Sequence, residues 1–568
     1  MQNRPIVLCC LMLLVLATAR ADERSPPGVV VAAHPLATEA GVALLEAGGS
    51  AIDAAVAIQA MLTLVEPQSS GIGGGAFLLH YQSATAEVQA YDGRETAPAA
   101  VSAAHFLRED GTPMDFLDAV PGGQSVGVPG SLRMLERAHR AHGRLPWRAL
   151  FQPAIRAAEK GFVVTPRLAE MLRINLPLDA FEPMAGYFFP AGEPLSAGTR
   201  LTNPALAATL RVIANEGADA FYEGAIAEAI VATVRAHGGT LTRKDMAAYQ
   251  AIERAPLCRP VAGYSICGMP LPSSGGISVL QILSLLEIAS AEVDDMDRLT
   301  WAHLLLEASR LGFADRNEYL GDADFVDVPV ATLLSDAYLT GRAALISPRH
   351  SMGLAAPGLD APDSAMSDAK CINHSTSHFS VMDADGNAVS MTSSIEMPFG
   401  SRLMVDGFLL NNQLTDFRFD PHAADGRLHP NRIQPGKRPL SSMSPIIALG
   451  PDDQPRLIIG SPGGTRIIGY VAQRVADVLM QGKGVKAAIE AGNLVNRNGQ
   501  TEVEADSRAE ALLPGLEALG HDTEVGSMTS GLHGIEQLPN GIIRGAADPR
   551  REGTVGRARP RPGEESQQ

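Results

Sequence analysis

The spacing of apolar and polar positions changes several times along the chain, and each change predicts an element. Residues 38–47 read as a helix stopped by Gly48-Gly49. Ser50, with Asp53 three residues on, sets a capping box for a second helix. Its body, 54–65, is apolar nearly all round and belongs inside a core, and Pro67 ends it. Gly71, Gly73, Gly74 and Gly75 follow, then a strand-like run over 77–81. Gly71-x-Gly73-x-x-Ala76 has the spacing of a dinucleotide fingerprint, but here a helix precedes and a strand follows, the reverse of what a pyrophosphate site requires. Gly123-Gln124-Ser125-Val126-Gly127 fits G-x-S-x-G, yet Pro121-Gly122 and Pro129-Gly130 bracket it where a nucleophile elbow needs a strand and a helix. From about 145 to 340 helical stretches alternate with short strands, 299–313 being a strong helix. Residues 354–368 are rich in Pro, Ala, Gly and Asp and predict an exposed, poorly ordered connector. Beyond it, 378–382 and 388–391 alternate about the turn Asp385-Gly386 and predict a hairpin. Short strands are expected at 408–410, 446–449 and 457–459, after which Ser461-Pro462-Gly463-Gly464 leads into a helix over 467–479. The end, 551–568, is polar with Pro and Gly and is expected to fray.

Composition narrows the class. The chain has 568 residues, of which 45% are hydrophobic, enough for a large core. A net charge of −17 argues against binding a phosphate backbone, so no nucleic-acid partner is expected. Arg4, the apolar run 6–17 and Ala19-Arg20-Ala21 read as an export signal over 1–21, placing the mature start near Asp22 and the protein in the periplasm or outside the cell. Cys9 and Cys10 lack a lipoprotein context, since Leu8 precedes Cys9. No later segment reads as long and apolar enough to span a bilayer. Cys258, Cys267 and Cys371 remain after the signal. Cys258 and Cys267 flank Ala262-Gly263 symmetrically, so a two-residue turn there would set them opposite each other, either as a disulfide or as two small buried thiols. No Cys/His cluster has zinc-like spacing, and no metal is expected.

The candidate chemistry sits where the connector meets a strand, at His374-Ser375-Thr376-Ser377-His378. A hydroxyl there is ordinary by itself. It becomes a nucleophile if Thr376 is the first residue of a chain, because its own α-amine, of reference pKa about 7.7–8.0, then serves as base. That requires cutting the Ser375–Thr376 bond, which the same hydroxyl can do by attacking the preceding carbonyl.

Thr376-Ser377-His378-Phe379-Ser380, with Asp383-x-Asp385-Gly386-Asn387 after it, resembles the processing site of gamma-glutamyltransferases (glutathione hydrolases). The resemblance recurs in order at Gly71–Gly75, Arg94-Glu95-Thr96-Ala97-Pro98, Pro272–Gly276, Asn411-Asn412-Gln413-x-x-Asp416-Phe417, Lys437–Met443, Gly460–Gly464 and Asp548-Pro549-Arg550. It implies an N-terminal-nucleophile hydrolase fold, a four-layer αββα sandwich of two stacked, mainly antiparallel sheets. It also implies a proenzyme cut into a large subunit, 22–375, and a small catalytic subunit, 376–568, which stay associated as a heterodimer. The substrate would be glutathione or another γ-glutamyl compound, with water or an amino-acid acceptor taking the acyl group, and no cofactor. By the same resemblance Thr376 is the nucleophile, Ser394 stands where a threonine orients it, and Gly463 and Gly464 match an oxyanion hole. Arg94, Ser441 and Ser442 match residues that hold the substrate α-carboxylate, while Gln413 and Asp416 match residues that bind its α-ammonium.

Two departures bear on specificity. Glu396 occupies the place of an asparagine that contacts the α-amine; its carboxylate would accept from an ammonium or, near Arg94, compete with the substrate carboxylate. The segment 420–435, which corresponds to a lid, is short and holds no Tyr, Phe or Trp, so water should outcompete acceptors. The rival readings are a glutaryl- or cephalosporin-type acylase, which would not need Asp416 and Glu396, and a catalytically silent binding protein of the same fold.

Overall fold

The computed structural model describes residues 28–359, 375–423 and 425–559. The expected export signal, Cys9, Cys10, Cys371, most of the connector and the last nine residues lie outside them.

Two antiparallel sheets are stacked face to face. The first has seven strands in the order Thr554–Arg557, Val29–Ala32, Ser377–Met382, Ala388–Ser394, Gly75–Gln82, Glu87–Gly93, Ile252–Arg254. The second has six, in the order Ile543–Ala547, His533–Gln537, Pro455–Gly460, Ile446–Leu449, Tyr264–Gly268, Leu257–Val261. Successive side chains of a strand point to opposite faces. Val30 and Ala32 therefore join the helices Pro35–Glu46 and Ala51–Val65, while Val29 and Val31 pack with Ile446 and Ile458 of the second sheet. Helices Ser274–Ala291 and Arg466–Leu479 cover the other face of the second sheet. The result is the four-layer αββα sandwich. Both sheets draw strands from either side of the Ser375–Thr376 bond, so neither piece alone could complete the core.

Local signals explain these elements. Ser50 Oγ accepts from the Asp53 amide and the Asp53 carboxylate from the Ser50 amide, which is the predicted capping box. Asp53 also accepts from the Arg144 and Leu145 amides, so one cap fixes a loop as well. Ala262 and Gly263 have φ of +51° and +80°, as a tight hairpin turn requires, and set Cys258 opposite Cys267 in a disulfide.

Several expectations are corrected. Residues 551–559, expected to fray, do not: Thr554–Arg557 is a strand paired with Val29–Ala32, and Arg551 is buried. Residues 354–359 are pinned, with the Ala355 amide donating to Asn498 and the Gly358 amide to Asp315. Helix Ser274–Ala291 is long and apolar enough to cross a membrane, contrary to the sequence reading, but it is a core helix with almost every residue buried. Ser125, in the G-x-S-x-G match, sits in a single 3-10 turn with its hydroxyl spent on the Val120 carbonyl at 2.6 Å.

Candidate active site

Thr376 lies at the mouth of the central hairpin, one residue before Ser377–Met382. Three oxygens form a triangle there: Thr376 Oγ1 is 2.8 Å from the Ser375 carbonyl oxygen, 3.0 Å from Ser394 Oγ, and Ser394 Oγ is 3.1 Å from the same carbonyl. Two hydroxyls thus converge on the carbonyl of the Ser375–Thr376 bond. Ser394 ends the neighbouring strand, and its Oγ also accepts from the Glu396 amide. The glycine cluster permits this arrangement, because a Cβ at Gly74 would lie 2.1 Å from the Ser394 carbonyl oxygen.

The flanks of the bond are fastened to the earlier part of the chain. Ser375 Oγ donates to Ser69 Oγ, Ser70 Oγ to Ser377 Oγ, and Ser377 Oγ to Glu66 at 2.8 Å. Burial pushes the Glu66 carboxyl up, opposed by Arg167 and Arg551. Arg551 donates from Nη1 to the Thr376 carbonyl at 2.9 Å. The sequence reading missed Glu66, Ser69, Ser70 and Arg551. Arg551 directly follows the quoted Asp548-Pro549-Arg550 block, which was the available signal.

Gly463 and Gly464 link strand Pro455–Gly460 to helix Arg466–Leu479. Gly463 has φ of +138° and a Cβ there would meet the Tyr470 ring at 2.7 Å, so the loop is closed to larger residues. The strand before it abuts the nucleophile's strand: Gly460 packs on the His378 ring, and Ser380 Oγ and Ser390 Oγ donate to the Ile458 and Ile459 carbonyls. The loop therefore opens at the same end of the sandwich as Thr376.

Beside this end lies a buried polar group. Arg94, following Glu87–Gly93, reaches Asp416 at 2.5 Å and donates to the Pro439 and Leu440 carbonyls. Gln413 Nε2 donates to the same Asp416 oxygen. Leu440 leads into Ser441 and Ser442, where Ser442 Oγ accepts from Arg316 and the Ser441 carbonyl accepts from Ser274. Arg94, Gln413 and Asp416 are thus in direct contact, and Ser441 and Ser442 follow the Leu440 carbonyl that Arg94 binds. Glu396 is buried and accepts from Asn412 Nδ2 at 2.5 Å, a partner the sequence reading did not single out. The segment 420–435 is tied down: Arg427 pairs with Glu318, and Asn431 bridges the Asp416 carbonyl and the Leu440 amide. It thereby braces the wall that carries Asp416.

Comparison with known proteins agrees with this geometry. The model of the gamma-glutamyltranspeptidase family matches residues 37–558. A glutathione hydrolase proenzyme of Bacillus subtilis is 38% identical over 542 residues, covering 93% of this chain and 91% of its own length. An acylase ACY 1 proenzyme of a Pseudomonas species is 37% identical, with 93% of each chain covered. Among solved structures, a cephalosporin acylase from Bacillus halodurans superposes with a TM-score of 0.81 at 28% identity, covering 97% of this chain and 99% of that one. With matches along nearly its whole length, the chain belongs to the gamma-glutamyltranspeptidase family.

Proposed function

We propose that this chain is an exported proenzyme that cuts itself before Thr376 and then cleaves γ-glutamyl amides, glutathione among them, through a Thr376 acyl-enzyme. The observation that carries this is the oxygen triangle of Thr376, Ser394 and the Ser375 carbonyl. Thr376 Oγ attacks the Ser375 carbonyl carbon, and the Ser394 hydroxyl donates to the oxygen as it gains charge. The C–N bond breaks, the Thr376 nitrogen takes a proton and becomes a free α-amine, and water hydrolyses the remaining ester. In turnover that amine accepts the Thr376 hydroxyl proton while Oγ attacks the γ-carbonyl. The amides of the Gly463–Gly464 loop receive the oxyanion. Arg94 with Ser441 and Ser442 takes the α-carboxylate, and Asp416 with Gln413 and Glu396 takes the α-ammonium. Asp416 would then exchange part of its contact with Arg94 for the substrate ammonium. With 420–435 braced as a wall and bearing no aromatic cover, water is expected to outcompete amino-acid acceptors. Product analysis with a dipeptide acceptor checks this: transfer product exceeding free glutamate would refute it.

Intact mass of the wild-type protein beside T376A tests the maturation. Two fragments, the smaller beginning at Thr376, with an uncut variant support it; a single intact chain in both refutes it and favours a silent fold. The similarity to acylases keeps a second reading in view. Release of nitroaniline from γ-glutamyl but not glutaryl anilide favours the first, because the glutaryl group lacks the ammonium that Asp416 and Glu396 would recognise.

A further inference from the structure

Arg551 is a fully buried cation that the chemistry above does not use. Its Nη1 donates to the Thr376 carbonyl at 2.9 Å and its Nη2 to the Thr529 carbonyl at 3.1 Å. Its stem lies against Gly531, where a Cβ would be 2.7 Å from both Arg551 Cδ and Pro462 Cγ. Pro462 is the residue before the Gly463–Gly464 loop. One side chain therefore touches the main chain of the nucleophile and, through a single glycine, the wall of the oxyanion loop. The backbone behind it is held in turn, since the strand Thr554–Arg557 is fixed in the first sheet.

Such a contact matters more after cleavage than before. A new chain end loses its covalent tether on one side, and chain ends fray unless tied down. The Thr376 carbonyl is the tie on the other side. Charge matters as well. Among the described residues, the charged and titratable groups that act on Glu66 and Arg551 include Arg167, Asp548, Glu552, Tyr470 and His533, and Glu396 lies two residues beyond Ser394. Glu66 accepts from Ser377 and lies near Arg167, Glu396 accepts from Asn412, and Asp548 is engaged by Arg550, Ser530 and the Leu532 amide. Arg551 is the one whose charged atoms bond the Thr376 main chain directly. A cation so close disfavours a second positive charge on the α-nitrogen.

We propose that Arg551 is a positioning residue for Thr376: its guanidinium fixes the nucleophile's main chain against the oxyanion loop and, after cleavage, holds the adjacent α-amine in its free-base form. This rests on Thr376 being an N-terminal nucleophile. No atom of Arg551 enters a bond-making step.

The test uses full-length R551Q and R551K beside wild type. Chain cleavage is followed by intact mass, and kcat, KM and the pH profile are measured on γ-glutamyl-4-nitroanilide. R551Q is expected to cleave itself more slowly and, once cut, to lose about ten- to a hundredfold in kcat with KM little changed. Losing the cation raises the amine pKa, so the acidic limb of kcat/KM moves up by about one pH unit. R551K keeps the charge with one fewer contact, so the limb stays with wild type while kcat falls. A wild-type limb and kcat in R551Q overturn the proposal, as does R551K shifting the limb like R551Q. Should R551Q not fold, R551K decides: a displaced limb or an unchanged kcat overturns the proposal. If wild type cuts itself yet releases no nitroaniline, the γ-glutamyl reading fails, and the cleavage time courses still decide for or against Arg551.

Discussion

At the scale of residues, the site turns on which hydroxyl does which task. Thr376 and Ser394 both reach the Ser375 carbonyl, but only Thr376 supplies the nitrogen of the Ser375–Thr376 bond; Ser394 is held in place by the Glu396 amide. In the proposed mechanism Ser394 is therefore the donor rather than the attacker. S394A should slow self-cleavage about a hundredfold, the cost of losing one oxyanion donor. S394T should stay close to wild type, because the hydroxyl is kept. A time course of fragment appearance by mass checks both, and cleavage of S394A at the wild-type rate would remove Ser394 from the mechanism. The same scale shows why Glu396 could not be understood from its position alone. One of its carboxylate oxygens already accepts from Asn412 Nδ2, a contact that comes only with the fold.

At the scale of elements, signals confined to a short window were readable. The Ser50–Asp53 capping box, the Asp385-Gly386 hairpin and the Ala262-Gly263 turn all formed as spaced, because each depends on neighbours within a few residues. Thr554–Arg557 was not readable. It is four residues long, half exposed, and owes its strand conformation to Val29–Ala32 at the opposite end of the chain. Arg551 went unseen with it. The substrate residues were legible by resemblance, whereas their mutual contacts, such as Arg94 with Asp416, came only from the fold. The disulfide joins strands at the rim of the second sheet with a sequence separation of 9. Closing so short a loop stabilises by ~2–3 kcal/mol. C258S/C267S should lower the melting temperature by a few degrees and leave kcat unchanged; lost turnover at unchanged stability would contradict this placement.

At the scale of the whole molecule, folding traps histidines in neutral form. Burial lowers His34 and His429 to about 4 and His80, His521 and His533 to about 3. In the unfolded chain they titrate near ~6.5. Between those values the unfolded state binds more protons, so stability falls as pH falls from about 6.5 towards 3–4. Glu95 works the other way: burial raises it to about 8, and its proton favours the fold as pH drops from there to the ordinary carboxylate range. Burial also raises Glu66, Asp315, Asp322, Asp383 and Asp406 and lowers His105, His142 and His378, so eight histidines stand against six carboxyls and a net loss is expected. Urea midpoints should therefore decline between about pH 6.5 and 4.5. A flat or rising midpoint would show that the buried carboxyls dominate. His303 and His521, on opposite sides of the Ser375–Thr376 bond, meet Nδ1 to Nε2 at 2.7 Å.

The pairing of Val29–Ala32 with Thr554–Arg557 brings the two ends of the described chain together, with the Ala558 amide donating to the Gly28 carbonyl at 2.8 Å. A short linker could therefore join them without disturbing either sheet. A circularly permuted gene could then start at Thr376 and finish at Ser375. Removal of its initiator methionine would expose the Thr376 amine without any self-cleavage. The proposed maturation is then a change of chain connectivity imposed on a fold already complete, and a permutant would separate the ability to turn over substrate from the ability to cut itself.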